Sequence, residues 1–457
     1  MSAEKAPRKR SGDSPPAHRA PEFTIACHRA QPCVRPVRRH HHHRAPIADH
    51  PGKADMSVSI LEKQRNAVLD TFGQKIEELK ASELYREFLP VGHLAADRGH
   101  TGYRGRKVQV WCSNDYLGMS QHPEVIQAQI DSTGRHGTGT GGSRNIAGTS
   151  TAHVELEDRL AAWHGKERAL VFSSGYVANF ETLSTLISAI EGLVVFSDSL
   201  NHRSLIEGIV RSGAKKHVFA HNDMADLESK LALYEADRPK LIVFESVYSM
   251  DGDTSPVSAV FDLAEKYDAL TFLDETHSIG VRGPLGAGLS AEIDDHRATF
   301  VQGVFGKAIG TVGGYVAGPD AALDYVRSFA PGFIFTTALP QAAMDATLRS
   351  LQLVQEGDAL RAGLAARTEL MKAELRSRGI DFIDADSHLV PVMVPGGERV
   401  RRVSRQLLEE HDIYVQPINF PSVARGGERF RVTVAPFRTP EQIANFADAM
   451  QKCLQEN

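Results

Sequence analysis

From Met56 onward apolar residues fall with helical spacing, at Ile60, Leu61, Val68, Leu69, Phe72, Ile76 and Leu79, and predict an amphipathic helix. Beyond about residue 107 the pattern changes. Short apolar runs, Ala169-Leu170-Val171-Phe172, Leu193-Val194-Val195-Phe196, Leu241-Ile242-Val243-Phe244, Leu270-Thr271-Phe272-Leu273 and Thr299-Phe300-Val301, alternate with helix-length segments. Runs of this kind, with little polar alternation, read as strands buried on both faces. The pattern therefore predicts a large, mostly parallel sheet covered by helices over residues 107–340. Residues 56–106 read as an N-terminal helical and strand segment. After Pro340 a long helical pattern leads into a smaller α/β domain, residues 341–457 together, with strand-like Leu389 to Val394 and Phe430 to Val434. No internal repeat is visible.

Composition narrows the function without choosing it. The chain has 457 residues, 42% hydrophobic and 24% charged, with a net charge of -5, which gives no electrostatic case for binding nucleic acid or a membrane surface. No apolar run approaches the roughly 18 residues of a membrane span. The four cysteines, Cys27, Cys33, Cys112 and Cys453, lack metal or redox spacing and fit a reducing cytoplasm. Residues 1–55 are rich in Arg, His, Pro and Ala, with Arg38-Arg39-His40-His41-His42-His43-Arg44 at their centre. They read as a disordered basic extension rather than a metal site or a transit peptide, since neither fixed ligand geometry nor an amphipathic helix is legible.

The chemistry concentrates at predicted strand ends, where open α/β sheets bind ligands. Lys307 lies in the glycine-flanked turn Gly306-Lys307-Ala308-Ile309-Gly310, and Asp274-Glu275-Thr276-His277 closes an apolar run. A lone lysine is more often a surface residue. Paired with a carboxylate that can keep a pyridine nitrogen protonated, it can hold an aldehyde cofactor as a Schiff base, and the pair points to pyridoxal phosphate. Phe172-Ser173-Ser174-Gly175-Tyr176 ends a strand and opens a helix, so its amides can hold a phosphate. His202, after Ser197-Asp198, can stack on an aromatic ring, although taken singly it and His277 could be structural. The stretch Gly137 to Asn145 fails as a dinucleotide loop because a helix-like segment, Val125 to Asp131, precedes it instead of a strand. As an active-site loop it offers Ser143 and Asn145.

These residues, taken in order, resemble the α-oxoamine synthase family of fold-type I pyridoxal-phosphate enzymes over residues 56–457. The matching stretches are Val110 to Met119, Gly141 to Ile146, Phe244 to Asp253, Gly332 to Pro340 and Tyr414 to Pro421, the last being specific to the branch that condenses glycine with succinyl-CoA. The resemblance implies that Lys307 forms the Schiff base and that Asp274 pairs with the pyridinium nitrogen. It places His202 on the ring, His277 at the phenolic oxygen, Ser246 on the cofactor, and Ser174, Gly175 and Tyr176 around the phosphate. Thr336 and Thr337 would reach the phosphate of a neighbouring subunit, which implies a homodimer. Arg431 and Asn114 would hold the glycine carboxylate; Arg86, Ser143, Asn145 and Ser422 the succinyl carboxylate; Ser197 and Lys216 the thioester region of CoA. The implied products are 5-aminolevulinate, a tetrapyrrole precursor, with CoA and CO2.

The chain departs from the family at Ser143 and Ser422, each usually Thr, at Val304, usually Thr, at Thr276, usually Val, and at Arg203, usually Ala. The two lost methyls bear on acyl selectivity, and the missing hydroxyl at Val304 costs about 1 kcal/mol of phosphate contact. Three rivals remain: a relative using another acyl-CoA, a synthase feeding a secondary pathway through a cyclised product, and a non-catalytic subunit. Arg86 and the Tyr414 to Pro421 run argue against the first, and Lys307, Asp274, His202 and Arg431 against the last.

Overall fold

The computed structural model describes residues 54–82, 85, 88–94 and 96–457, with side chains of the first helix described from Gln64 on. The basic extension up to residue 53, including Cys27, Cys33 and the four histidines, lies outside the described residues, as does Arg86.

The first helix, Ala54–Ala81, carries the expected stripe, and Val68, Leu69, Phe72, Ile76 and Leu79 are all exposed on it. Three short strands follow, β1 (Gly92–His93), β2 (His100–Tyr103) and β3 (Arg106–Val110). The central sheet then has seven strands: β4 (Arg168–Phe172), β5 (Val194–Asp198), β6 (Lys215–Phe219), β7 (Lys240–Glu245), β8 (Ala269–Asp274), β9 (Phe300–Val304) and β10 (Gly314–Gly318), in the order β4-β10-β9-β8-β7-β5-β6. All five expected strands are present, with ends within three residues of the apolar runs. The stretch from β9 to β6 is parallel, whereas β10 runs antiparallel to both β9 and β4.

Alternation along each strand explains the layers. Leu241 and Val243 face one side and pack with Phe172, Val195, Leu183 and Ile209, while Ile242 and Phe244 face the other and pack with Phe196, Leu227, Val260 and Phe261. Helices Gly175–Ala189 and Arg203–Ser212 cover the first side; Met224–Leu231 and Val257–Lys266 cover the second. Each fully buried Val, Leu, Ile or Phe contributes about 1.5–3 kcal/mol, so a strand buried on both faces is strongly placed.

The C-terminal part consists of helices Gln341–Gln355 and Asp358–Ser377, then β11 (Leu389–Met393), β12 (Ile413–Tyr414), β13 (Pro417–Ile418) and β14 (Arg429–Thr433), with helices Gly397–His411 and Pro440–Glu456. β14 pairs antiparallel with β11 and β13, whereas β12 pairs parallel with β3. That last pairing joins residues near 110 to those near 414, so the chain between β12 and β14 is tied to the segment that carries Asn114.

Candidate active site

The carboxyl ends of the parallel strands bring most of the expected residues together. Lys307 sits in a tight turn between β9 and β10: Phe305 N donates to Gly313 O at 3.0 Å, Thr311 N to Phe305 O at 2.9 Å and Gly310 N to Lys307 O at 2.8 Å. Gly310 has φ 70° and lies against the backbone of Met119 and Ser120, where a Cβ would collide. The lysine Nζ is 2.8 Å from His277 Nε2. Burial, with Arg431 nearby, lowers the lysine to about 7 against an opposing pull from Asp274. It is therefore an amine that can take up and release a proton near neutral pH.

Asp274 ends β8, and both its oxygens are held, Oδ2 by Asn179 Nδ2 at 2.8 Å and Oδ1 by Thr276 N at 2.9 Å. His277 is buried, and burial together with Lys307 and Arg431 pushes it well below 6.5, so it stays neutral. Its Nδ1 meets Tyr116 Oη at 2.7 Å. His202 caps helix Arg203–Ser212 and its side chain is exposed, with Nδ1 2.7 Å from Ser204 Oγ, leaving a flat ring face open beside the strand ends. Behind it, the buried Glu245 accepts from His202 N at 2.5 Å. Burial and the charge of Asp274 raise Glu245 well above 4.5, so it serves as a neutral acid there.

The turn expected to hold a phosphate joins β4 to a helix. Ser174 Oγ accepts from Val177 N at 3.2 Å and opens helix Gly175–Ala189. A Cβ on Gly175 would lie 3.0 Å from Val304 Cγ2 and 3.2 Å from Gln302 Nε2, so the helix starts in close contact with β9 and a side chain there would have to push these two aside. Tyr176 is exposed next to His202, ring centroids 6.5 Å apart. The residues present fit pyridoxal phosphate: an amine, a doubly held carboxylate, an imidazole and a helix N-terminus stand at or just after the carboxyl ends of β9, β8, β5 and β4 respectively.

Arg431, on β14, donates to Asn114 Oδ1 at 2.6 Å and lies close enough to depress both Lys307 and His277. These are the two residues expected to hold a substrate carboxylate, and they are bonded to each other.

Other expected residues stand apart. Ser246 is wholly buried and its hydroxyl meets Ser278 Oγ at 2.8 Å. Ser197 is buried and accepts from Asn201 Nδ2 at 2.9 Å, while Lys216 is exposed on the edge strand β6, opposite Val195. Ser143 and Asn145 bond each other at 2.6 Å on an exposed loop, which bridges to Thr337. Thr336 and Thr337 line a small cavity with Ser173 and Arg144. Ser422 is exposed in the turn after β13, its N donating to Asn419 O at 3.0 Å. Three partners escaped the sequence reading: Tyr116, Asn179 and the network around His221. There Asp198 Oδ1 at 2.9 Å and Asp253 Oδ2 at 2.7 Å clamp both ring nitrogens of His221.

The aminotransferase class I and II family profile matches residues 106–450. The chain is 45% identical over 385 residues to 5-aminolevulinate synthase of Bradyrhizobium diazoefficiens, covering 83% of this chain and 94% of that protein. It is 48% identical over 348 residues to 5-aminolevulinate synthase of Paracoccus denitrificans, covering 75% and 85%. Among solved structures, serine palmitoyltransferase from S. paucimobilis with a pyridoxal phosphate–myriocin adduct superposes with TM-score 0.79 at 29% identity, covering 85% of this chain and 98% of that one. The chain belongs to the aminotransferase class I and II family of pyridoxal-phosphate enzymes, and within it to the 5-aminolevulinate synthases.

Proposed function

We propose that the protein condenses glycine with succinyl-CoA, releasing 5-aminolevulinate, CoA and CO2, and so supplies a tetrapyrrole precursor. The observation that carries this reading is the union of Lys307, lowered to about 7, with Arg431 and Asn114 beside it.

Bound pyridoxal phosphate supplies an electron sink for charge left on a carbon that loses a proton or a carboxylate. The chain's residues do the rest. Arg431, with its planar fork oriented by Asn114, grips the glycine carboxylate and fixes which bond to the α-carbon is placed for cleavage. Lys307 takes the α-proton at Nζ and can return one to the product carbon. Neutral His277 orients that nitrogen without competing for positive charge. Asp274, immobilised by Asn179 and the Thr276 amide, keeps a negative charge at the base of the site.

The active form is a homodimer. Ile146 and Phe335 are 77% and 84% exposed beside Ser143, Asn145, Thr336 and Thr337, an apolar face that a second copy would cover while bringing these residues to the partner's site. We place Arg86 and Ser422 at the succinyl carboxylate, and Ser197 and Lys216 toward CoA. Ser246 would support Ser278 and the Asp274 strand end rather than touch the cofactor through its hydroxyl. Among the described residues no helix is long and apolar enough to cross a membrane, and Cys112 and Cys453 are free thiols; we place the enzyme in the cytoplasm. The test is a panel of acyl-CoAs with glycine, products identified by mass. Preference for succinyl-CoA with 5-aminolevulinate formed is expected; preference for acetyl- or butyryl-CoA would move the chain to another ketone-forming activity.

A further inference from the structure

Asp274 ends β8 and His202 follows β5, and two buried side chains join them. Asn179 and Ser204 are 2% and 1% exposed. Asn179 Nδ2 donates to Asp274 Oδ2 at 2.8 Å and to Ser204 Oγ at 3.0 Å, and Ser204 Oγ lies 2.7 Å from His202 Nδ1. These bonds run in one line from the carboxylate to the imidazole.

Chemistry fixes the direction of each bond. A carboxylate can only accept, so it turns the amide nitrogen of Asn179 toward itself, and the buried Asn179 Oδ1 is left without a partner in consequence. Both protons of that nitrogen are then spent, one on Asp274 and one on Ser204. Ser204 Oγ, accepting from Asn179, keeps its own proton to give, and the acceptor within reach is His202 Nδ1. The backbone supplies an independent check. Ser204 N, which can only donate, also points at His202 Nδ1, at 3.3 Å. Two donors converge on one nitrogen, so Nδ1 is bare and the ring carries its proton on Nε2.

We propose that Asn179 and Ser204 are positioning residues of this site: Asp274 orients Asn179, Asn179 orients the Ser204 hydroxyl, and Ser204 locks His202 as the neutral tautomer protonated on Nε2. The carboxylate that keeps a bound pyridine ring cationic thereby also keeps the imidazole expected to stack on that ring uncharged, so that like charges do not face each other. A proton on Nδ1 would have to displace both donors at once. The ring is tied from its backbone as well, since His202 N donates to Glu245 at 2.5 Å. The tautomer belongs to the chain alone; only its consequence for turnover rests on the proposed reaction.

The test is 15N NMR of the histidine-labelled protein, with and without pyridoxal phosphate, the His202 signals being identified by their loss in His202→Gln. At neutral pH Nδ1 should show the shift of a bare, accepting nitrogen and Nε2 that of a protonated one. In Ser204→Ala both should move toward the average of the two tautomers, and Ser204→Thr, which keeps the hydroxyl, should return them. With glycine and succinyl-CoA the Ala variant should lose about 10-fold in kcat at unchanged KM for glycine, because Arg431 and Asn114 are untouched, and the Thr variant should recover it. If Ser204→Ala does not fold, Ser204→Gly takes its place, since it too lacks the hydroxyl. A wild-type spectrum with the proton on Nδ1, wild-type nitrogen shifts in the variant without the hydroxyl, or an unchanged kcat in that variant overturns the proposal. Failure of the proposed reaction would show separately, as the wrong product mass from a wild-type enzyme whose His202 tautomer is intact.

Discussion

Two histidines at the ends of the central sheet sit in opposite electrostatic worlds. His277, flanked by Lys307 and Arg431 and without a carboxylate bonded to it, is pushed well below 6.5 and stays neutral. His221 is partly buried, which alone would lower it, but hydrogen bonds to Asp198 and Asp253 outweigh burial and raise it to about 10. The difference shows how the sheet distributes charge. Asp198 and Asp253 are paired with an imidazolium that persists through neutral pH, while Asp274 is bonded only by neutral donors, Asn179 and the Thr276 amide, and faces a bound ring as that ring's partner. One centre locks strand ends together; the other keeps a proton mobile.

The comparison breaks most sharply at Lys307. Lys307→Ala should lower turnover by about four orders of magnitude or more, because it removes the amine that forms the Schiff base. Loss of the visible cofactor band on purification should accompany it, whereas retained turnover would dissolve the distinction between the two centres. Asp274→Asn should follow at about 100-fold in kcat, with cofactor lost on dialysis, since the ring forfeits its charge partner. At the acyl end, Arg86→Leu should lower kcat/KM for succinyl-CoA by about one to two orders of magnitude and leave butyryl-CoA nearly unaffected.

His221 predicts an effect on stability instead. Its folded pKa, about 10, exceeds its unfolded value near 6.5, so folding binds the proton more tightly. The stabilisation is full below about 6.5 and fades as pH rises to about 10. The wild-type melting temperature should therefore fall across that window, whereas the curve of His221→Gln should be flatter and approach it near the upper limit. Parallel curves would mean that His221 is not the charged member of its triad. The smallest expected effect is that of deleting residues 1–55, which carry no apolar pattern and should leave activity and melting temperature within experimental error.

How much of this was legible before folding depended on whether the signal was local. The strands β4, β5, β7, β8 and β9 declared themselves as apolar runs. β10, Gly314–Gly318, did not, because two glycines flank only three larger residues, and β6 hid behind Lys215 and Lys216, which an edge strand can leave exposed. Lys307, Asp274 and His277 stood out through their place in turns at strand ends. Asn179 and Tyr116 could not, since they reach the site from 95 and 161 residues away in sequence and carry no motif for that contact. Ser246 lay in a matched stretch, yet folding turned its hydroxyl toward Ser278. A position in a motif did not determine where its side chain pointed.

The most direct test of the account is the fate of the carboxyl carbon that Arg431 is held to grip. With [1-13C]glycine and succinyl-CoA, the label should appear in CO2 and the product should have the mass of unlabelled 5-aminolevulinate. Label retained in a product that keeps the glycine carboxylate, or no CoA release with these two substrates, would contradict it.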